Sequence, residues 1–449
     1  MKIFKLTSLL IAFTTITFIS SCDKDDDVMG CTDLAATNYN ASATEDDGSC
    51  TYDASAAPKT YNFSNASYGG QTDRIYMLKE LETYLKTVSD GAVIDAAIAK
   101  SMYANEGYNW TSDYFATNGQ PKKQLKSKTA TDDQANIEAL IDELAALSAA
   151  AVSDDDLYIE SVLGNFGVTS CSGVIGYLDT EYGYSQEESC SWDGGGSPMF
   201  NFGGMSIGDY CPASCDPDAV TLTGSYMFDE NGFEPVQLIV KGIMGSCFYY
   251  QGTSVYLSPA KMDVENDLDA LTVDTDYTTM QHHFDESFDY LGAPIDMSIA
   301  NPDDGNYWGK YAKKTTGGGL STIDNLMQDG FIAGRHAINN MDYDARDQAI
   351  TTIQNEWEMI PVASALYYLN SSADAIADAA VRNHALSEAI AFMSALKWNS
   401  RSSVITDPSQ VDDMIAMLGD DLNLITATDI ANTRDALAAA YGITNASDF

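Results

Sequence analysis

From Thr72 to Lys86, the apolar residues Ile75, Leu78, Leu81, Tyr84 and Leu85 recur at steps of three and four, which is one stripe along a helix. A second helix is expected over 133–152, where Ala, Leu and Glu dominate and favour the helix intrinsically. A third is expected over about 233–256, after the turn signal Asp229-Glu230-Asn231-Gly232. The same period predicts helices at about 277–292, 321–339, 344–369, 371–397, 408–418 and 428–440. Period-two alternation never persists, so the pattern predicts a mostly α protein, a helical bundle. From about 165 to 220 no period can be followed. That stretch is rich in Gly, Ser, Tyr and Asp, and it reads as an irregular, Cys-rich insertion.

The first residues have a different pattern. Lys2 and Lys5 precede an apolar run from Leu9 to Ile19, too short for a bilayer-spanning anchor, and small residues then lead to Cys22. Ile19-Ser20-Ser21-Cys22 resembles the lipobox of bacterial lipoproteins, which implies a signal peptide over 1–21 and lipidation at Cys22. An ordinary secretory signal with an incidental cysteine is the plainer alternative. Asp23-Lys24-Asp25-Asp26-Asp27 resembles the acidic export signal of Bacteroidetes lipoproteins, which implies an outer-membrane lipoprotein on the cell surface, with the periplasmic face as the alternative. As chemistry alone, the run is a solvated tether. The expected organisation is a leader (1–21), a tether with a small module (22–58) and a helical domain (59–449).

Charge narrows the partners. The chain has 449 residues, 66 Asp+Glu against 23 Lys+Arg, and a formal charge of −43. Nucleic acid is excluded as a natural partner, because phosphate binding needs a basic surface to release counterions. An anionic membrane surface is disfavoured on the same ground. With 45% hydrophobic residues the chain can build a core, so its acidity belongs to a folded surface suited to a salty medium.

Eight cysteines are present, and lipid on Cys22 leaves seven, so at least one is unpaired or pairs between chains. Cys31 and Cys50 bracket a short loop that a disulfide would stabilise by roughly 3 kcal/mol. The segment resembles a short Cys-rich repeat of secreted proteins from marine bacteria of the same phylum. Asp33, Asn38, Asn40, Asp46 and Asp47 offer oxygens that suit calcium. It lacks the EF-hand order, however, and Asp46-Asp47-Gly48 is also a plain turn signal, so a disulfide-stapled spacer is the favoured reading. The pairing of Cys171, Cys190, Cys211, Cys215 and Cys247 stays open, and Cys211 and Cys215 lack the second pair of a zinc finger.

The four histidines, His282, His283, His336 and His384, all fall in the C-terminal half. On a helix over 277–292, His283 shares a face with Met280, Phe284, Ser287, Phe288 and Leu291, and Glu286 lies beside it. His384 and Glu388 repeat the step at four residues, and Glu356 is expected to turn inward between Ile353 and Ile360. His283, Glu286, Glu356, His384 and Glu388 together form the ligand inventory of a carboxylate-rich metal site in a bundle. Hydrogen-bonded His-Glu couples holding helices in register are the alternative. His282 and His336 are expected at the surface or behind the ligands. Gly204-x-Ser206-x-Gly208 lacks the strand and helix of a nucleophile elbow. Thr315 to Gly319 is a turn without the lysine of a phosphate loop.

Several strings resemble a family of Bacteroidetes lipoproteins that carry a domain of unknown function. These are Gly232 to Gly245 (GFEPVQLIVKGIMG), Tyr277 to Gly292 (YTTMQHHFDESFDYLG), Tyr307 to Tyr311 (YWGKY), His384 to Phe392 (HALSEAIAF) and the stretch 61–87. That family is similar to the imelysins, helical surface or periplasmic proteins associated with iron uptake and once classed as metallopeptidases. Their G-x-H-x-x-E hallmark is met at His283 and Glu286, with Gln281 in place of the glycine. The resemblance implies binding of iron, haem or zinc and an outer-membrane importer as partner. A zinc peptidase and a structural or glycan-binding module are the alternatives. The zinc-binding sequence H-E-x-x-H is absent.

Overall fold

The computed structural model describes residues 28–32, 39–46, 57–153, 171–194, 206–211, 215, 222–223, 226–272, 276–298, 300, 305–320 and 322–449. Two compact units are distinguished, Met1–Ala57 and Pro58–Phe449. In the first, β1 (Met29–Gly30) pairs in parallel with β2 (Glu45–Asp46).

The second unit is built from helices. Its longer ones are α1 (Gly69–Lys86), α2 (Ala96–Ala104), α3 (Asp113–Asn118), α4 (Thr131–Ser153), α5 (Cys171–Tyr182), α6 (Gln186–Ser191), α7 (Pro235–Ile243), α8 (Thr279–Leu291), α9 (Ala333–Asn339), α10 (Tyr343–Asp374), α11 (Ala379–Ala395), α12 (Ser409–Ala416) and α13 (Ala427–Ala440). A two-residue ladder, β3 (Leu222–Thr223) with β4 (Tyr226–Met227), precedes α7. Polar caps set several starts. Asp95, Asp342 and Asp378 accept backbone N–H groups at α2, α10 and α11, and Thr278 with Gln281 forms a capping box on α8. Gly292 ends α8 in the left-handed conformation, φ 73°, that glycine tolerates best.

Two expected helices change their winding partway. After α7 the chain continues as a π-helix, Met244–Val255, and α9 is preceded by another, Asn325–Ile332. Wider turns splay carbonyls outward, and neighbouring groups meet them: Trp308 Nε1 donates to Met244 O at 2.8 Å, Ala130 N to Ser246 O at 2.7 Å, Ser287 Oγ to Gly252 O at 2.7 Å and Gln354 Nε2 to Thr253 O at 2.8 Å. Gly252 lets the Trp357 ring lie where a Cβ would sit 2.5 Å from it. Tertiary bonds therefore set a winding that apolar periodicity does not encode.

The expected break near residue 370 lies further on, because α10 runs unbroken from Tyr343 to Asp374, through Pro361, before Asp378 caps α11. Trp308, Trp357, Phe248, Phe284, Phe288 and Phe331 fill the core, and Tyr61 stacks on Phe288 with centroids 3.8 Å apart.

The Cys-rich insertion carries the helices α5 and α6. Disulfides Cys171–Cys211 and Cys190–Cys215 brace it around a minor core of Val174, Leu178 and Ile207, separate from the main one. A core this small needs such staples. Among the described cysteines Cys247 is free and fully buried, and Cys31 is disulfide-bonded. Cys22 and Cys50 lie outside the described residues.

Candidate functional site

The apolar face of α8 is as its spacing predicts: Met280, Phe284, Ser287, Phe288 and Leu291 are buried. The stripe Gln281, Asp285 and Asp289, which reads as a solvent face, is buried too. Asp285 meets Arg335 of α9, with Nε 2.8 Å from Oδ1 and both side chains at 0% exposure. Its carboxylate also accepts Tyr61 Oη at 2.6 Å and the Ser67 backbone N–H at 3.1 Å. Burial still outweighs these partners and raises the Asp285 pKa. One turn on, Asp289 accepts Thr72 Oγ1 at 2.7 Å, and burial, aided by nearby Asp73, raises its pKa to about 7. Sequence reasoning missed this stripe. The signal available was Arg335, one of six arginines, within an otherwise apolar helical pattern.

The edge of α8 carries the expected pair differently from its spacing. His283 and Glu286 do not turn to each other. His283 Nδ1–H donates to Lys261 O at 2.8 Å, which leaves Nε2 to accept from Lys261 Nζ at 3.3 Å. Both ring nitrogens are thus satisfied by one residue. Burial, with the Lys261 ammonium and His282 beside it, lowers the His283 pKa against the Lys261 carbonyl and Glu286, so the ring is neutral at pH 7.

Glu286 instead faces His282, whose Nε2 lies 3.7 Å from Oε2 and whose Nδ1–H donates to Ser67 O at 2.8 Å. The other oxygen, Oε1, accepts Gln71 Nε2 at 2.6 Å and Tyr256 Oη–H at 3.2 Å. Tyr256 Oη in turn accepts from Lys128 Nζ at 2.8 Å. Lys128, Lys261, His282, His283 and Glu286 are all half-buried, so this cluster opens to solvent.

His384 of α11 is half-buried too, but its partners are arranged differently. Its Nδ1–H donates to Glu234 Oε2 at 2.5 Å, Nε2 lies 3.9 Å from Glu388 Oε1, and the ring stacks on Tyr226 at 4.2 Å. Lys241 approaches Glu388 Oε1 at 3.6 Å. Glu234 and Glu388 lie on opposite nitrogens of the ring and do not converge on one point.

Glu356 is half-buried and accepts Asn325 Nδ2 at 3.1 Å, well removed in its bonding from either histidine. Two residues on, Glu358 is the buried one, accepting Ser402 Oγ at 2.5 Å, Tyr441 Oη at 2.6 Å and Asn399 Nδ2 at 2.9 Å. Burial nevertheless raises its pKa. His336 Nε2 accepts Asn340 Nδ2 at 3.1 Å.

The five expected ligands are therefore distributed over three places. Among the described residues no group of three or more His, Cys, Asp or Glu is placed to hold a metal ion. The donor set present, His282 Nε2 and Glu286 Oε2, fits an ion that brings further ligands of its own.

Of the expected calcium ligands, Asp33, Asn38 and Asp47 lie outside the described residues, as does Cys22. Asn40 Oδ1 accepts the Ser42 N–H at 3.0 Å, closing a local turn, and Asp46 is described through its backbone in β2. No helix among the described residues is long and apolar enough to cross a membrane.

Residues 221–444 match the family described as Domain of unknown function (DUF4856), and a domain of that kind is present there. It contains α7 to α13 and both histidine clusters. Gln71, Thr72, Lys128 and Tyr61, which complete the contacts of α8, come from the part of the same compact unit that precedes it. Comparison with curated proteins and with solved structures finds no match.

Proposed function

We propose that this chain is a lipoprotein of the Bacteroidetes type, anchored through lipid on Cys22 in the outer membrane and exposed at the surface. Its imelysin-like helical domain captures iron carried in a small chelate or in haem and passes it to an outer-membrane importer. The supporting observation is the spacing of His282 Nε2 and Glu286 Oε2, 3.7 Å on one helix at a half-buried edge. Two bonds of about 2.1 Å span that gap. Two donors leave most coordination positions to the incoming chelate, as suits a carrier that must release its cargo. His283, saturated by Lys261, orients the edge without ligating. The N-terminal module serves as a stapled spacer, with calcium among Asp33, Asn38, Asn40, Asp46 and Asp47.

Isothermal titration of the mature chain with ferric nitrilotriacetate and with haem tests this. At least one should bind, and His282→Ala or Glu286→Gln should weaken it tenfold or more. Absence of binding by both, or unchanged affinity in both variants, would end the proposal.

A further inference from the structure

Three cations gather beside Glu286. Several others in the chain stand against carboxylates: Arg335 with Asp285, Lys241 with Glu388, Lys126 with Glu138, Lys100 with Asp142 and Lys397 with Asp412. Around Tyr256 the cations are held by a ring and by carbonyls instead. Lys128 Nζ lies 4.9 Å from the ring centroid and donates to the hydroxyl, and Lys261 Nζ lies 5.7 Å from the same centroid. Arg74 is buried nearby and donates to carbonyls alone, Gln124 O at 2.8 Å and Gly70 O at 3.0 Å.

None of the three forms an ion pair with a described carboxylate, although the chain has 66 acidic residues to draw on. The nearest carboxylate, Glu286, spends its oxygens on Gln71, Tyr256 and His282. Burial, together with Arg74 and Lys261, lowers the Lys128 pKa against the opposing pull of Glu286. Holding cations half-buried with only one shared counter-charge costs folding free energy. An arriving anion would return it. The overall −43 does not prevent this, because in physiological salt charges beyond roughly 8 Å are largely screened and the local cations dominate.

We infer that Lys128 and Lys261, both beside Tyr256, form a binding site for an oxyanion of two or more negative charges, a polycarboxylate or a phosphate. The inference rests on reading this edge of α8 as the ligand site, and it assigns the ligand's anionic groups to the ammoniums and its metal to His282 and Glu286. Tyr256 lies beside both ammoniums and, through its hydroxyl, ties Lys128 to Glu286.

The test is titration of the full mature chain with metal-free nitrilotriacetate and, separately, with inorganic phosphate. At least one should bind, with affinity falling about tenfold or more between 50 and 500 mM salt. Nitrilotriacetate alone binding would identify a polycarboxylate, phosphate alone a phosphate ligand. Lys128→Gln and Lys261→Gln should each weaken binding tenfold or more, whereas Lys128→Arg and Lys261→Arg should stay within about threefold. Thermal melts check that each variant folds. Should Lys128→Gln unfold, Lys261→Gln, whose ammonium faces only His283 and the ring, decides alone. No binding of either anion at millimolar concentration, or wild-type affinity in Lys261→Gln, overturns the inference. Ferric chelate binding that survives both glutamine variants would also overturn it while leaving the uptake reading intact. Metal-free anion binding that iron does not strengthen would support this site and defeat the uptake reading.

Discussion

The edge of α8 and the inner end of α11 carry the same short pattern, a histidine with a glutamate one helical turn away. Their surroundings give them opposite characters. At α11, His384 is clasped by Glu234, stacked on Tyr226 and bounded by Glu388 with Lys241, so the charges there face one another inside the fold. At α8, Glu286 and His282 stand 3.7 Å apart beside ammoniums that lack a carboxylate. The first arrangement joins α7 to α11. The second is incomplete without something from outside. A His-Glu step thus states a capacity, and the count of charges around it decides whether that capacity is spent on the fold or kept for a ligand.

The largest expected effect lies on the structural side. Lys241→Met leaves Glu388 buried without its cation and should cost about 3–5 kcal/mol in urea unfolding. Lys261→Gln, at the open edge, should cost less than about 0.5 kcal/mol. Equal losses would erase the distinction.

Asp289 gives a pH-dependent test of how deeply α8 is packed. Its pKa is raised to about 7, above the unfolded value near 3.8, so the folded state holds this proton longer than the unfolded chain does. Its contribution is therefore fully present below about pH 4 and lost as pH rises through 7. Asp289→Asn should flatten that decline and stabilise the protein at pH 8 by up to about 3 kcal/mol. Melting temperatures of the two proteins from pH 4 to 8 measure it, and parallel curves would show that the carboxylate is better solvated than its burial implies.

The two histidines should divide in the same way. His384→Ala strips Glu234 of its donor and should cost about 1–3 kcal/mol, with chelate binding untouched. His282→Ala should cost under about 1 kcal/mol yet lose binding tenfold. Reversed outcomes would move the site to α11.

Much of this architecture was legible in sequence because apolar spacing survives wherever one face of a helix is buried. The stripe of α1 and the face of α8 through Phe284 and Phe288 show this. What spacing conceals is burial on a second face. Gln281, Asp285 and Asp289 look solvated, and only the distant residues Tyr61, Thr72 and Arg335 make them interior. The same limit explains Glu356 and Glu358. Flanking isoleucines favour Glu356 as the inward residue, but the donors that bury Glu358, Tyr441 and Asn399, are supplied from other segments. Choosing between His282 and His283 depended likewise on where Lys261 falls. The insertion hid α5 and α6 because their apolar core is small and disulfides brace it.

Cys247 sits in the first π-helix with no exposed surface, its thiol 3.7 Å from Leu125 O. Burial pushes its pKa up to about 12, and Arg74 and Lys128 only partly oppose this. Almost none of it is thiolate at pH 8, and no reagent reaches it in the closed fold. Alkylation must therefore wait for the centre of the molecule to open, so the labelling rate of this one sulfur becomes a stopwatch for that opening. A ligand seated at α8 would slow the stopwatch without touching it.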